Sequence, residues 1–103
     1  MMRAVLDDKK ADDIVILDLR ECNTITDYFI ICSGTSTRHV DALSEELVVG
    51  MKKHGVKPVH VEGRGEGTWV LADYGDVIVH MFYHETRDFY QLDKLWDHAP
   101  KVK

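Results

Sequence analysis

Ser33-Gly34 stands between the apolar run Tyr28 to Cys32 and a helix-spaced stretch, and a Gly/Ser turn at a helix N-terminus can hold phosphate on backbone N–H groups. Phosphate-transfer chemistry at such a turn also needs paired carboxylates on an adjacent strand to hold metal, and Asp76-Val77-Ile78 supplies only one. Glycines at 63, 65 and 67 fit neither GxGxxG nor GxxxxGK[ST], and a strand rather than a helix follows them. They read as a mobile approach to that strand. His80 and His84 stand four apart on an extended run with no third ligand close in sequence, so a structural or surface pair is expected rather than a metal site. Ser33 and Cys32 lack a base at a recognisable spacing, and Cys32, inside an apolar run, reads as a packed thiol. The residue types therefore predict no catalytic group, no metal and no cofactor.

The stretch that must organise the chain runs from Thr68 to Phe82. Two apolar, β-branched runs, Trp69 to Ala72 and Val77 to Phe82, flank Asp73-Tyr74-Gly75-Asp76, which reads as a β-hairpin with Gly supplying a positive φ. With Tyr74-Gly75 as a two-residue loop, the strand period places Val70, Ala72, Val77 and Val79 on one face. Trp69, Leu71, Asp73, Asp76, Ile78 and His80 share the other. The first face is core. The second mixes an aromatic ring, aliphatic residues, two acids and a histidine, a blend costly to seal in a core and useful for binding protein. Asp73 directly opposite Asp76 would be mildly unfavourable, and Asp73 has the alternative of capping the turn backbone.

Around the hairpin, Ala4 to Leu6 reads as the last turns of a helix. Asp13 to Leu19 and Tyr28 to Cys32 read as strands, the second apolar throughout and so central. Arg20 to Thr26 between them is a polar loop with Asn23 as its turn residue. Val40, Leu43, Leu47 and Met51 recur at helical spacing from Arg38 to His54, after the N-cap hydroxyls of Ser33 to Thr37, and Gly55 and Pro58 close that helix. Pro58 to Val61 makes a short strand, 62–67 a linker, and Glu85 to His98, with Phe89, Leu92 and Trp96, an amphipathic helix stopped near Pro100. The order β-β-α-β-β-β-α predicts an α/β sandwich with a mixed sheet. At 103 residues the chain makes one domain, and its net charge of -5 lacks the footprint of a protein that wraps nucleic-acid phosphates. An acidic surface suits a basic protein partner instead. Cys22 and Cys32 form no CxxC, and no signal-peptide pattern or apolar run near the roughly 18 residues of a membrane span is present, so a reducing, cytoplasmic setting is expected.

The runs Lys10-Ala11-Asp12-Asp13-Ile14, Thr26-Asp27-Tyr28-Phe29-Ile30-Ile31 and Ser33-Gly34-Thr35-Ser36-Thr37-Arg38 are distinctive. So are Glu62-Gly63, the unbroken Trp69 to His80 segment, Arg87, Tyr90 and Leu95-Trp96. Together, from about Ala11 to Trp96, they resemble the ribosomal silencing factor (RsfS, Iojap-like) family. The resemblance implies a fold similar to the nucleotidyltransferase sandwich without enzyme activity. It also implies binding to the fourteenth protein of the large ribosomal subunit, which keeps the small subunit from joining and represses translation. The family usually has a longer N-terminal helix, so residues 1–10 are expected to be a truncated one. Carried onto this chain, the partner-binding set is Trp69 as apolar anchor, Leu71 and Ile78 around it, Asp73 and Asp76 for Lys or Arg, with Tyr74 and His80. The same face can pair two copies into a homodimer off the ribosome. The alternative is a nucleotidyltransferase-like enzyme using Ser33, Gly34 and Asp76.

Overall fold

The computed structural model describes residues 2–21, 26–65, 68–90 and 101–102, the side chains of 88–90 and 101–102 excepted. Its elements are α1 (Met2–Asp8), β1 (Asp12–Asp18), β2 (Tyr28–Gly34), α2 (Thr37–Lys53), β3 (His60–Glu62), β4 (Trp69–Asp73), β5 (Val77–Tyr83), α3 (His84–Tyr90) and β6 (Lys101–Val102). Among the described residues the strands form one mixed six-stranded sheet in the order β3-β4-β5-β2-β1-β6. Only β2 and β5 run parallel, side by side at the centre where the unbroken apolar run of β2 predicted a central strand. The expected α/β class with a mixed sheet holds.

α2 forms because its apolar residues recur on one stripe and its ends carry strong signals. Ser36 Oγ accepts the His39 N–H at 3.0 Å, the N-cap bond that Ser, Thr, Asp and Asn supply. At the other end Gly55, at φ 78°, donates to the Lys52 carbonyl and Val56 to that of Met51, the paired bonds of a Schellman stop. Val40, Leu43, Leu47 and Met51 are all buried against Ile30, Cys32, Val70, Ala72, Val79 and Met81 of the sheet. α1 lies on α2 where Gly50 leaves room, since a Cβ there would stand 3.2 Å from a Val5 methyl.

The hairpin differs from expectation at its tip. Trp69 pairs with Phe82, Leu71 with His80 and Asp73 with Ile78, so the turn residues are Gly75-Asp76 and not Tyr74-Gly75. Two local facts move it: Gly75 takes φ 85°, and Asp73 Oδ1 accepts the Gly75 N–H at 2.8 Å. Asp73 therefore caps the turn and never meets Asp76 across the strands. The alternation survives, because moving the turn by one residue re-pairs the strands two positions along and leaves each residue on its face.

Elsewhere the boundaries shift by one or two residues, as with β3, expected at Pro58 and found from His60. The helix expected within residues 1–10 is α1, Met2–Asp8, and the chain adds β6 after the predicted order. The predicted helix from Glu85 is found from His84, and its expected continuation through Leu92 and Trp96 lies outside the described residues, as do Cys22 and Asn23. Arg87, which the resemblance singled out, ties this end together. Its Nη1 donates to Ser33 Oγ on β2 and to the Asp13 carbonyl, both at 2.9 Å, at the irregular start of β1 where Asp13 has φ 48°.

Candidate functional site

The face of the sheet turned away from α2 carries the residues expected to bind a partner, and its centre is closed. Leu17, Leu19, Phe29, Ile31 and Phe82 are buried there, with Val15, Trp69 and Ile78 partly buried against them. Trp69, Leu71, Asp73 and Ile78 form the partly open margin on β4 and β5, and Asp76 is exposed at the tip. Trp69 is thus neither a sealed core residue nor a free one: its ring stacks on Phe82 with centroids 5.0 Å apart, and its Nε1–H donates to His80 Nδ1 at 3.1 Å.

His80 departs from the open position expected for it, being only 4 % exposed. Its strand neighbours are Leu71 on β4 and Ile31 on β2, and Phe29 meets its ring edge-on at 4.7 Å. Burial among these apolar groups pushes its pKa from 6.5 down to about 4, so the ring is neutral at physiological pH. Because Nδ1 accepts from the indole, the proton of the neutral ring resides on Nε2. That atom is buried and has no hydrogen-bond partner among the described residues.

Tyr74 does not join the group. It packs on the α2 side with Val77, its hydroxyl buried, and burial raises that hydroxyl's pKa. The strand register instead brings in two residues that sequence reasoning left out of the site. β3 pairs with β4 so that Glu62 lies opposite Leu71 and His60 opposite Asp73, on the Trp69 face. His60 and Glu62 form a 2.7 Å pair on this exposed edge. The signal for Glu62 was its place in the Glu62-Gly63 motif. The reason for that glycine is local: Gly63 takes φ 84°, and a Cβ on it would fall 2.1 Å from the Trp69 carbonyl oxygen. Asp41 of α2 anchors the following loop by accepting the Gly65 N–H at 3.1 Å. The margin is then an apolar strip of Trp69, Leu71 and Ile78 bordered by the carboxylates of Glu62, Asp73 and Asp76.

Ser33, Gly34 and Asp76, the residues of the alternative enzyme reading, do not come together. β2 and β5 run parallel with Tyr28 beside Val77 and Gly34 beside Tyr83, so Asp76 sits at one end of the sheet and Ser33-Gly34 at the other, about 20 Å away. Ser33 is buried and its hydroxyl is taken by Arg87. At Gly34 an added Cβ would lie 2.7 Å from a Val40 methyl, so the glycine is needed for α2 to pack on β2. Among the described residues no group of His, Cys, Asp and Glu is arranged to hold a metal, and no helix is long and apolar enough to cross a membrane.

The family model described as "Ribosomal silencing factor during starvation" matches residues 1–103. The ribosomal silencing factor of Bacillus subtilis is 42% identical over 97 residues, covering 94% of this chain and 82% of that protein. A mouse protein named for mitochondrial assembly of the ribosomal large subunit is 38% identical over 100 residues, 93% of this chain but 43% of its own length. The crystal structure of a Chromobacterium violaceum protein superposes with a TM-score of 0.90 at 38% identity, covering 93% of this chain and 80% of that one. A match that runs the length of the chain, spanning the sheet, α2 and the Trp69 margin alike, places this chain in the ribosomal silencing factor family.

Proposed function

We propose that this protein docks on the large ribosomal subunit through the subunit's fourteenth protein, using the Trp69 margin, and blocks joining of the small subunit by its bulk. The observation that carries this reading is the composition of the margin: a half-buried tryptophan with Leu71 and Ile78, bordered on β3 and at the hairpin tip by Glu62, Asp73 and Asp76. Aromatic anchors with an apolar surround and a charged rim are the usual anatomy of a protein interface. A net charge of -5 favours a basic partner, and proteins that coat ribosomal RNA are basic. The mouse relative's name points to the same subunit. Steric exclusion needs no catalytic group, so the protein acts as a cytoplasmic binding module and translational repressor with no enzyme activity of its own. Off the ribosome the same margin can hold a second copy.

Co-sedimentation with isolated large subunits, small subunits and joined ribosomes tests this directly. The chain should pellet with large subunits alone and reduce formation of joined ribosomes. Trp69→Ala should weaken large-subunit binding by about 30-fold, the scale of a truncated anchor at a hot spot. Since Trp69 also stacks on Phe82, the same change should cost roughly 2 kcal/mol of folding stability, less than the 3–5 kcal/mol of a fully buried aromatic. Binding to small subunits, or undiminished binding by folded Trp69→Ala, would remove the basis for placing the interface here.

A further inference from the structure

A histidine is a poor choice for the place that His80 occupies if packing were its only task. Its flanking strand residues Leu71 and Ile31, and the rings of Phe29 and Phe82, offer its polar atoms nothing, and Nε2 is buried with no partner among the described residues. A Phe or Leu would fill the space without leaving a polar atom stranded. What neither could supply is an acceptor under the indole of Trp69, and that is the contact His80 makes, Nδ1 accepting Nε1–H at 3.1 Å. The indole is held from two sides, stacked at 26° on Phe82 and bonded to His80, although it is only partly buried. An aromatic residue fixed in this way loses little further freedom on meeting a partner, which is how preorganisation raises affinity.

We propose that His80 is a positioning residue for the Trp69 anchor, its buried Nδ1 fixing the indole against Phe82 in the orientation that a basic protein partner engages. This rests on the reading of the Trp69 margin as the large-subunit interface. Two histidine features serve it: a flat ring that fits beside Phe82, at 11° to it, and a ring nitrogen that stays free of a proton.

The test uses the full chain, labelled with nitrogen-15, and large subunits as the probe. The Trp69 indole resonance is identified by its loss in Trp69→Phe. His80→Phe keeps an aromatic ring in the site and removes the acceptor. It should retain a native amide spectrum, move the Trp69 indole resonance and speed its hydrogen exchange, and weaken binding to large subunits about tenfold. His80→Asn places a carbonyl oxygen close to the Nδ1 position and should restore both the indole resonance and most of the affinity. His80→Leu replaces the Phe variant should the larger ring prevent folding. Native-like binding by a folded His80→Phe or His80→Leu chain overturns the proposal, as does a His80→Asn chain that regains the indole resonance without regaining affinity. Trp69→Ala, measured alongside, separates the two levels. If it binds normally the interface itself lies elsewhere and the positioning role falls with it. If it loses binding while the acceptor-free variants do not, only the positioning role is wrong.

Discussion

Acidification between pH 6.5 and pH 4 should destabilise this protein through His80. In the folded chain His80 stays neutral down to about pH 4, because burial among apolar residues strips away the water that would solvate an imidazolium; its Nδ1 also faces an N–H donor. In the unfolded chain the same residue takes up a proton near pH 6.5. Below that pH the unfolded state binds the extra proton, so stability falls as pH falls, with a limiting slope of about 1.4 kcal/mol per pH unit. Across the 2.5 units between 6.5 and about 4 the loss is roughly 3 kcal/mol, a large share of the 5–15 kcal/mol that holds a typical domain folded. Above pH 6.5 the contribution is flat. Asp18 acts in a different window: the Arg20 side-chain hydrogen bond holds its carboxyl below the usual 3.8, so its contribution is present above that value and disappears only at lower pH. Urea unfolding at constant ionic strength at pH 7.5, 6.5, 5.5 and 4.5, for wild type and His80→Phe, measures the effect. The other five of the six histidines are common to both chains, so the difference between the curves belongs to position 80. Wild type should lose stability relative to the variant step by step below pH 6.5. Parallel curves would show that His80 gains its proton as easily folded as unfolded, and the account of its burial would be wrong.

Two further outcomes follow from the packing. Gly63→Ala should cost about 2–4 kcal/mol in a urea titration, since the new Cβ meets the Trp69 carbonyl at a positive φ, whereas Gly65→Ala, equally left-handed but facing open space, should cost about 1 kcal/mol; equal losses would refute the close approach of the two strands. Burial pushes the Cys32 thiol up to about 12, so in a Cys22→Ser background its alkylation at pH 8 should run about a thousandfold slower in the folded chain than in urea, and comparable rates would mean the site is open.

Local chemistry was enough to determine much of this protein from its sequence. The stripe Val40, Leu43, Leu47, Met51 with Ser/Thr before it and Gly55 after it specifies α2, because capping and periodicity are properties of neighbouring residues. The alternation along β4 and β5 likewise sorted Trp69, Leu71 and Ile78 from Val70, Ala72 and Val79, and it held although the turn slipped by one residue. The family motifs are legible in the sequence too, because they are strings of residues. What depends on elements distant in the chain had no local signal. Which end of the sheet holds Ser33-Gly34 and which holds Asp76 is set by the parallel pairing of β2 with β5. That Glu62 borders the Trp69 margin follows from the register of β3 on β4, and that Tyr74 leaves it follows from which face α2 covers. Most of all, a period of two says that His80 and Trp69 share a face, but it is silent on depth. Residues 11 apart became donor and acceptor, one half-open and the other sealed, only when β5 was laid between β4 and β2, with Phe29 and Ile31 brought to its side.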